Sequence, residues 1–354
     1  MDLALYDPEF GYYARAAQRS GRAGDFFTSV DVGPLFGQLL EIQLEEMTRM
    51  LNSRFGIQHA DLVEAGAGNG RLSADILRAA RRRDPGFYES IRLHLVEASA
   101  EARRAQAGTL GDVAERLASS GASLPDSFEG VLIANELLDA FPVHQVVMRE
   151  DGLREVFVTA TDDCRLTTVE GELSTPALSD YLARLGVSLE PGWRAEINLR
   201  AVDWIRGAAQ RLRRGFIILI DYGHDARELY SATHSTGTLT TFVKHRSGGP
   251  EGSAAAPPWL QQPGEQDLTA HVDFTSVRAA AEAEGMTAIG FLDQTYFLMG
   301  LLEGLPDPQA AIRNPQFKTL MLPGGIGSTH KVLILGKGVG APALRGCSFR
   351  VRVT

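Results

Sequence analysis

Cysteine is scarce. Cys164 and Cys347 are the two in 354 residues, far apart and outside any C-x-x-C spacing. That excludes a disulfide framework and a cysteine zinc centre, and it fits a reducing compartment. No metal is expected. Long apolar runs are missing as well: none approaches the ~18 residues that mark a membrane-spanning helix. The opening Met1–Tyr6 lacks the basic-then-apolar layout of a secretory signal. It also lacks the Ser-rich, acid-poor character of a transit peptide, so a cytoplasmic location is expected. Positive charge is in deficit, with 35 Lys and Arg against 44 Asp and Glu and a net charge of −9. This argues against a nucleic-acid backbone as the main partner. Internal repeats are absent. The composition that remains, 44% hydrophobic and 22% charged, is that of a soluble globular protein. The length suits two to three domains, or one large α/β domain with an insertion.

The chain is organised around Asp61-Leu62-Val63-Glu64-Ala65-Gly66-Ala67-Gly68-Asn69-Gly70. This reads as a short apolar strand running into a glycine-rich turn, with a helix predicted over about Arg71–Arg83. Glycines at Gly66, Gly68 and Gly70 permit a sharp bend and close approach of a ligand, where any Cβ would collide. A ligand there also meets the free N–H groups of the following helix. A dinucleotide site wants G-x-G-x-x-G and an acid about 20 residues further on. Here the spacing is G-x-G-x-G, and Arg71 stands in place of the third dinucleotide glycine. One acid, Glu64, already sits at the end of the strand. A second, Glu97, ends the next strand-like run, Leu93–Val96. The pattern suits S-adenosylmethionine. Glu64 would hold its methionine ammonium, directly or through water, and Glu97 would accept both ribose hydroxyls. A tight turn with no ligand is the plainer alternative.

The segment before this turn, residues 1–34, is rich in Gly, Tyr, Phe and Asp and shows little period. It is either a lid over a site or an ordered arm. Its Arg15, Arg19 and Arg22 read as solvated charges. Leu35, Phe36, Leu39, Leu40, Ile42 and Met47 then mark a core-facing helix. Further on, Glu129–Ala134 reads as a buried strand ending in Asn135-Glu136-Leu137-Leu138-Asp139-Ala140-Phe141-Pro142. Ligands of open α/β sheets sit beyond the carboxyl ends of strands, which places Asn135, Glu136 and Asp139 where a second substrate would lie. Helix capping by Asn135 is the alternative there. Asp151-Gly152 signals a hairpin inside a β-rich insertion. The strand Phe216–Ile220 leads to Asp221-Tyr222-Gly223, another polar cluster, in which Asp221 could equally be a structural turn residue. The Gly-, Ser-, Ala- and Pro-rich run from Ser247 to Gly264 reads as a loop. Beyond it, His271 and Asp273 would share one face of a strand, as an acid–base pair or as a structural histidine. Helices are predicted at about 275–285, 295–303 and 307–319. Strands near 286–292 and 331–335 close the sheet as an antiparallel pair.

With these landmarks the chain resembles the MidA-like S-adenosylmethionine-dependent methyltransferases, whose mitochondrial relatives are assembly factors of respiratory complex I. The matching blocks run almost end to end. They are Leu5–Pro8 with Gly11–Tyr13, Gly24–Ser29 with Phe36-Gly37, Glu64–Gly70, Ala134–Pro142, Asp221–Gly223, Gly237–Leu239 and Pro263–Phe274. The strings Asn-Glu-x-x-Asp-Ala-x-Pro and Asp-Leu-Thr-x-His-Val-Asp-Phe are the specific ones. Two departures stand out. The family usually has a short helix ahead of the Leu-Tyr-Asp-Pro block, where this chain starts, and it tends toward Gly-x-x-Phe-Lys where this chain has Gly327-Ser328-Thr329-His330-Lys331.

The resemblance implies a class I methyltransferase, a Rossmann-like α/β sheet with helices on both faces. The expected division is residues 1–56 as an N-terminal arm and covering helix, 57–142 and 193–354 as the cofactor-binding core, and 143–192 as the β-rich insertion. It implies S-adenosyl-L-methionine as cofactor, held by Glu64, Gly66, Gly68, Gly70 and Glu97, with Thr28 or Ser29 closing over the carboxylate and Asn135 nearby. It implies methyl transfer to an arginine of a partner protein, oriented by Asn135, Glu136 and Asp139. A small-molecule acceptor is the rival, with a pocket lined by Tyr12, Tyr13, Phe26 and Phe27 and with Tyr222 or His271 as base. A non-catalytic, cofactor-sensing assembly factor is a third reading, and an NAD-dependent dehydrogenase a remote fourth. The assembly is left open between a monomer and a homodimer.

Overall fold

The computed structural model describes residues 1–14, 28–243, 246–248, 257–321 and 329–349. The expectations placed on Arg15, Arg19, Arg22 and Gly24–Phe27, and those on residues 249–256, lie outside the described residues. The first four strands are β1 (Ala60–Ala65), β2 (Ile91–Val96), β3 (Leu117–Gly121) and β4 (Phe128–Asn135). Then come β5 (His144–Arg149), β6 (Gly152–Ala160), β7 (Leu166–Gly171), β8 (Arg194–Ile197) and β9 (Leu212–His224). The chain ends with β10 (Thr240–Val243), β11 (Arg246–Gly248), β12 (Asp267–Thr269), β13 (Val272–Asp273), β14 (Thr287–Asp293) and β15 (His330–Lys337).

The main sheet runs β14-β15-β9-β4-β1-β2-β3, with the short β13 beside β9. Strands β3, β2, β1, β4 and β9 are parallel, while β15 is antiparallel to both of its neighbours, β9 and β14. This is the expected α/β sheet with its closing antiparallel pair. Chain order reverses between β1 and β4, so the crevice beyond Ala65 and Asn135 is where an open sheet binds ligands. Strand β9 shows why its run of apolar residues has no alternation. Phe216, Ile218 and Ile220 pack into one core layer, and Ile217 and Leu219 into the layer on the opposite face.

The helices α1 (Asp2–Tyr6), α2 (Ser29–Val32), α3 (Leu35–Phe55), α4 (Arg71–Arg83), α5 (Pro85–Ser90) and α6 (Ala100–Leu110) precede the insertion. Helix α4 has the predicted bounds. Asp84-Pro85 ends it and also starts α5: Asp84 accepts from the Phe87 amide, and proline takes the first helical position. Gly37 lets α3 lie against α4, because a Cβ there would sit 2.7 Å from the Asp75 Cβ. The expected helix at 307–319 is two helices, Pro308–Arg313 and Pro315–Met321. Asn314, with ψ 130°, is pushed out of helical geometry by the proline that follows.

Strands β7, β6, β5 and β8 form a separate antiparallel sheet. Its fourth strand, Arg194–Ile197, lies beyond residue 192. The first hairpin pairs Arg149 with Gly152, so its turn is Glu150-Asp151. At the N-terminus, α1 is fastened over the crevice side. Tyr6 donates to the Ala140 carbonyl (3.0 Å), and Tyr13 donates to Asp267 (2.9 Å). Leu5, Tyr12 and Leu268 form a small core of their own. No helix among the described residues is long and apolar enough to cross a membrane.

Candidate active site

The glycine turn has the geometry its sequence demands. Gly66, Gly68 and Gly70 all have positive φ, +72°, +50° and +83°. A Cβ on Gly68 would meet nothing within 4 Å, so the bend opens onto free space there. The Gly68 amide donates to Glu97 Oε2 (2.9 Å), and the Ser99 amide donates to Glu97 Oε1 (2.7 Å). Glu97 therefore ends β2 beside the turn, only half-buried. Buried Gln106 on α6 donates to the Gly68 carbonyl (2.9 Å) and holds the turn from beneath. Glu64 is differently placed. Its Oε2 accepts from both the hydroxyl and the amide of Ser73 on α4. Burial pushes its carboxyl up to about 7, against the two Ser73 bonds.

The segment after β4 packs directly on that turn: a Cβ on Gly66 would lie 3.0 Å from a Leu137 methyl. No helix follows Asn135, which removes the capping alternative. Instead Glu136 takes φ +49°, rare for a residue with a side chain, and its amide donates to the Ile220 carbonyl (2.8 Å). Such strain gathers at functional sites. The Glu136 carboxylate accepts from the Ser29 amide (3.3 Å) and from Asn135 Nδ2 (3.3 Å). It also lies 3.5 Å from Nε2 of His330, a fully buried residue. His330 is the cross-strand partner of Tyr222, and their rings are 3.8 Å apart.

Two more acids stand behind Glu136. Asp221 accepts from the amides of Leu137 (3.1 Å), Leu138 (2.8 Å) and Tyr222 (2.9 Å). It thus ties the loop to the end of β9. Burial pushes it up to about 7, with Glu136 adding to that and the backbone bonds and His330 opposing it. Asp139 is pushed up by burial and then by Asp221, Glu136 and Asp267. The Tyr222 phenol is raised by burial and then by Glu136, Asp139 and Asp221. Three acids thus cluster behind the glycine turn.

The arrangement matches a known family. Residues 39–292, more than half of the chain, fit the Methyltransf_28 profile of S-adenosyl-L-methionine-dependent methyltransferases. The chain is a member of this methyltransferase family. It is 30% identical to the mitochondrial protein arginine methyltransferase NDUFAF7 homolog of Drosophila melanogaster, over 96% of this chain and 80% of that protein. It is 29% identical to the human protein arginine methyltransferase NDUFAF7, over 85% of this chain and 68% of that one. Among solved structures, one from Burkholderia thailandensis bound to S-adenosyl-homocysteine superposes with a TM-score of 0.82 at 29% identity. It covers 98% of this chain and 88% of its own.

The methyltransferase's own atoms fit S-adenosylmethionine. The turn leaves the room that a Cβ on Gly68 would fill, with the half-buried carboxylate of Glu97 beside it. The amide oxygen of Asn135 is buried at the end of β4 without a hydrogen-bond partner. Helix α2 covers this side. Asp31 accepts from the Thr28 amide and hydroxyl and pairs with Arg71 at the start of α4 (3.1 Å). The Thr28 hydroxyl is therefore engaged within α2. The Ser29 hydroxyl is in reach of fully buried Gln294 (3.1 Å from Nε2), so Ser29 sits against Glu136 and Gln294 together.

The remaining expected residues separate. Asp273 caps the helix Phe274–Ala283, accepting from Thr275, Ser276 and the Tyr181 hydroxyl. It does not pair with His271. His271 Nδ1 is buried without a partner, and burial pushes its imidazole down to about 4. Tyr12 is fully buried in the N-terminal core, and the hydroxyl of Tyr13 is bound to Asp267. Sequence reasoning missed Gln294, His330 and Gln106. His330 alone left a signal, in the noted departure at Gly327–Lys331.

Proposed function

We propose that this methyltransferase modifies an arginine guanidinium on a partner protein. The observation carrying this reading is the cluster of three acids, Glu136, Asp139 and Asp221, behind the cofactor turn. The charges acting most strongly on Asp139 are all negative. A guanidinium complements such a field, and its planar fork suits carboxylates. The names of the Drosophila and human relatives support the same acceptor. In this reading Gly66–Gly70 and Glu97 hold S-adenosylmethionine, Glu64 braces the turn through Ser73, and Thr28 and Ser29 position α2 over it. When bound, that cofactor supplies a methyl group on a positively charged sulfur, open to in-line displacement by a nitrogen lone pair. Glu136 orients the guanidinium and takes the proton its nitrogen sheds. Asn135 and Asp139 fix the acceptor loop. Tyr222 acts as a hydrogen-bond donor. The protein's main task is to position two reactants and exclude water, worth roughly 7–11 kcal/mol in favourable cases.

Glu136→Gln tests the assignment. Turnover is expected to fall by about 10²-fold or more, with S-adenosylhomocysteine affinity nearly intact. Parallel loss of binding and turnover would assign Glu136 to the cofactor instead. Labelled methyl transfer in a cell extract, separated by size, tests the acceptor. Label on protein, released as methylarginine on hydrolysis, is expected. Label on metabolites would favour a small-molecule enzyme, and cofactor binding without label a non-catalytic assembly factor.

A further inference from the structure

Outside the acid cluster, three histidines meet at the carboxyl end of β9. His224 ends β9, His234 closes the 3-10 turn Ala232–His234, and His271 immediately precedes β13. The parallel pairing of β13 with β9, Asp273 opposite His224, brings the first and last together. Ring centroids are 4.8 Å apart for His224 and His234, 5.3 Å for His224 and His271, and 5.8 Å for His234 and His271. One ring nitrogen of each lies within 4.8 Å of the others, and all three residues are half-buried.

The surroundings orient these rings. Glu228, just beyond Asp225, faces two of them. Nδ1 of His234 is 3.1 Å from the Glu228 carbonyl oxygen, in position to donate to it. Nδ1 of His224 is 3.0 Å from the Glu228 carboxylate, off the line of a good hydrogen bond. A carbonyl or carboxylate on the far nitrogen is how a metal-ligating histidine is normally held. His271 presents the complementary feature, a buried Nδ1 with no partner among the described residues. A protein rarely buries a polar atom unsatisfied, so a missing partner there calls for an explanation.

We propose that His224, His234 and His271 bind one divalent transition-metal ion of the zinc class. Three imidazoles select such an ion over magnesium or calcium, which prefer oxygen ligands. Metal–nitrogen bonds of ~2.0–2.1 Å in a tetrahedron put the nitrogens roughly 3.3 Å apart, so the rings close in modestly on binding. Three protein ligands leave the fourth position open, as in catalytic zinc sites. The site would lie near the acid cluster, since the rings of His271 and Tyr222 stack 6.5 Å apart.

The test uses tag-free, chelator-stripped full-length protein, titrated calorimetrically with Zn²⁺ and followed by visible absorption with Co²⁺. One equivalent of Zn²⁺ and a tetrahedral Co²⁺ spectrum are expected, with no response to Mg²⁺. His224→Ala and His234→Ala should each weaken Zn²⁺ binding by at least about 10-fold, and Glu228→Gln by about 10-fold. His144→Ala, in the separate sheet, should change nothing. Absence of saturable Zn²⁺ binding, or wild-type affinity in the two histidine variants, overturns the site. Should those variants fail to fold, the wild-type Co²⁺ spectrum decides, and an octahedral spectrum overturns the proposal. None of these readouts depends on methyl transfer.

Discussion

Glu136 carries a side chain at a backbone angle, φ +49°, that glycine adopts freely. Such a conformation costs on the order of 1–3 kcal/mol and persists only where its surroundings impose it. Its carboxylate adds repulsion with Asp139 and Asp221. Glu136→Gly should therefore raise the free energy of unfolding by about 1 kcal/mol while abolishing methyl transfer. A fall in stability, measured by urea denaturation, would mean the contacts with Ser29 and Asn135 outweigh the strain. The buried carboxyls also predict a pH dependence. Glu64 and Asp221 sit near pKa 7 in the folded protein, above the ordinary values of 4.5 and 3.8. The folded chain thus holds protons that the unfolded chain releases at lower pH. Stability from these groups is present in acid and falls as pH rises through 7. His271, pushed down to about 4, acts oppositely below its ordinary 6.5. The carboxyl effect is therefore cleanest between about pH 6.5 and 8. Thermal melts of the cofactor-free protein should fall across that window, and Glu64→Gln or Asp221→Asn should flatten the slope.

Helices α2, α3 and α4 turn these residues into a site. The four-residue α2 links the start of α4 to the residues after β4, through Asp31 to Arg71 and through Ser29 to Glu136 and Gln294. Its base is the α3–α4 pair, locked by a two-pronged contact of Arg83 with fully buried Glu41 at 2.6 and 2.8 Å. Gly37 sets how closely the pair approaches. In Gly37→Val the new Cβ would meet the Asp75 Cβ at 2.7 Å and its backbone at 3.2 Å. Helix propensity improves slightly in that variant, but overpacking should dominate. A net loss of about 1–3 kcal/mol is expected, seen as a lower urea midpoint at unchanged slope.

Across the whole molecule, the net charge of −9 and the acid cluster would act in the same direction on the proposed cationic acceptor. Long-range attraction of that kind is screened over about 10 Å at 0.1 M salt. The KM for an arginine-bearing peptide should therefore rise with ionic strength, while the Kd for S-adenosylhomocysteine should change little. A KM indifferent to salt would argue that charge does not draw the acceptor in. The sheet sets the stage for both ligands. It buries one apolar layer on each face and leaves its carboxyl edge polar, where β1, β2, β4 and β9 deliver Gly66, Glu97, Asn135 and Asp221 side by side.

Much of this was open to reading in the primary structure. Glycine spacing specified the bend after β1, since glycine fits positive φ angles at three alternate positions with little strain. Apolar runs marked β1, β2, β4 and β9 but not β3, which has no buried residue, and helical periodicity marked α3. What stayed hidden was what depends on long loops closing. Gln294 meets Ser29 across 265 residues, and His330 reaches Tyr222 because β15 returns antiparallel beside β9. Asp273 and His271, two residues apart, part company because one caps a helix. Local sequence encodes conformational preference and burial. Which polar atoms meet is decided by strand order and register, and these exist only once the chain has folded.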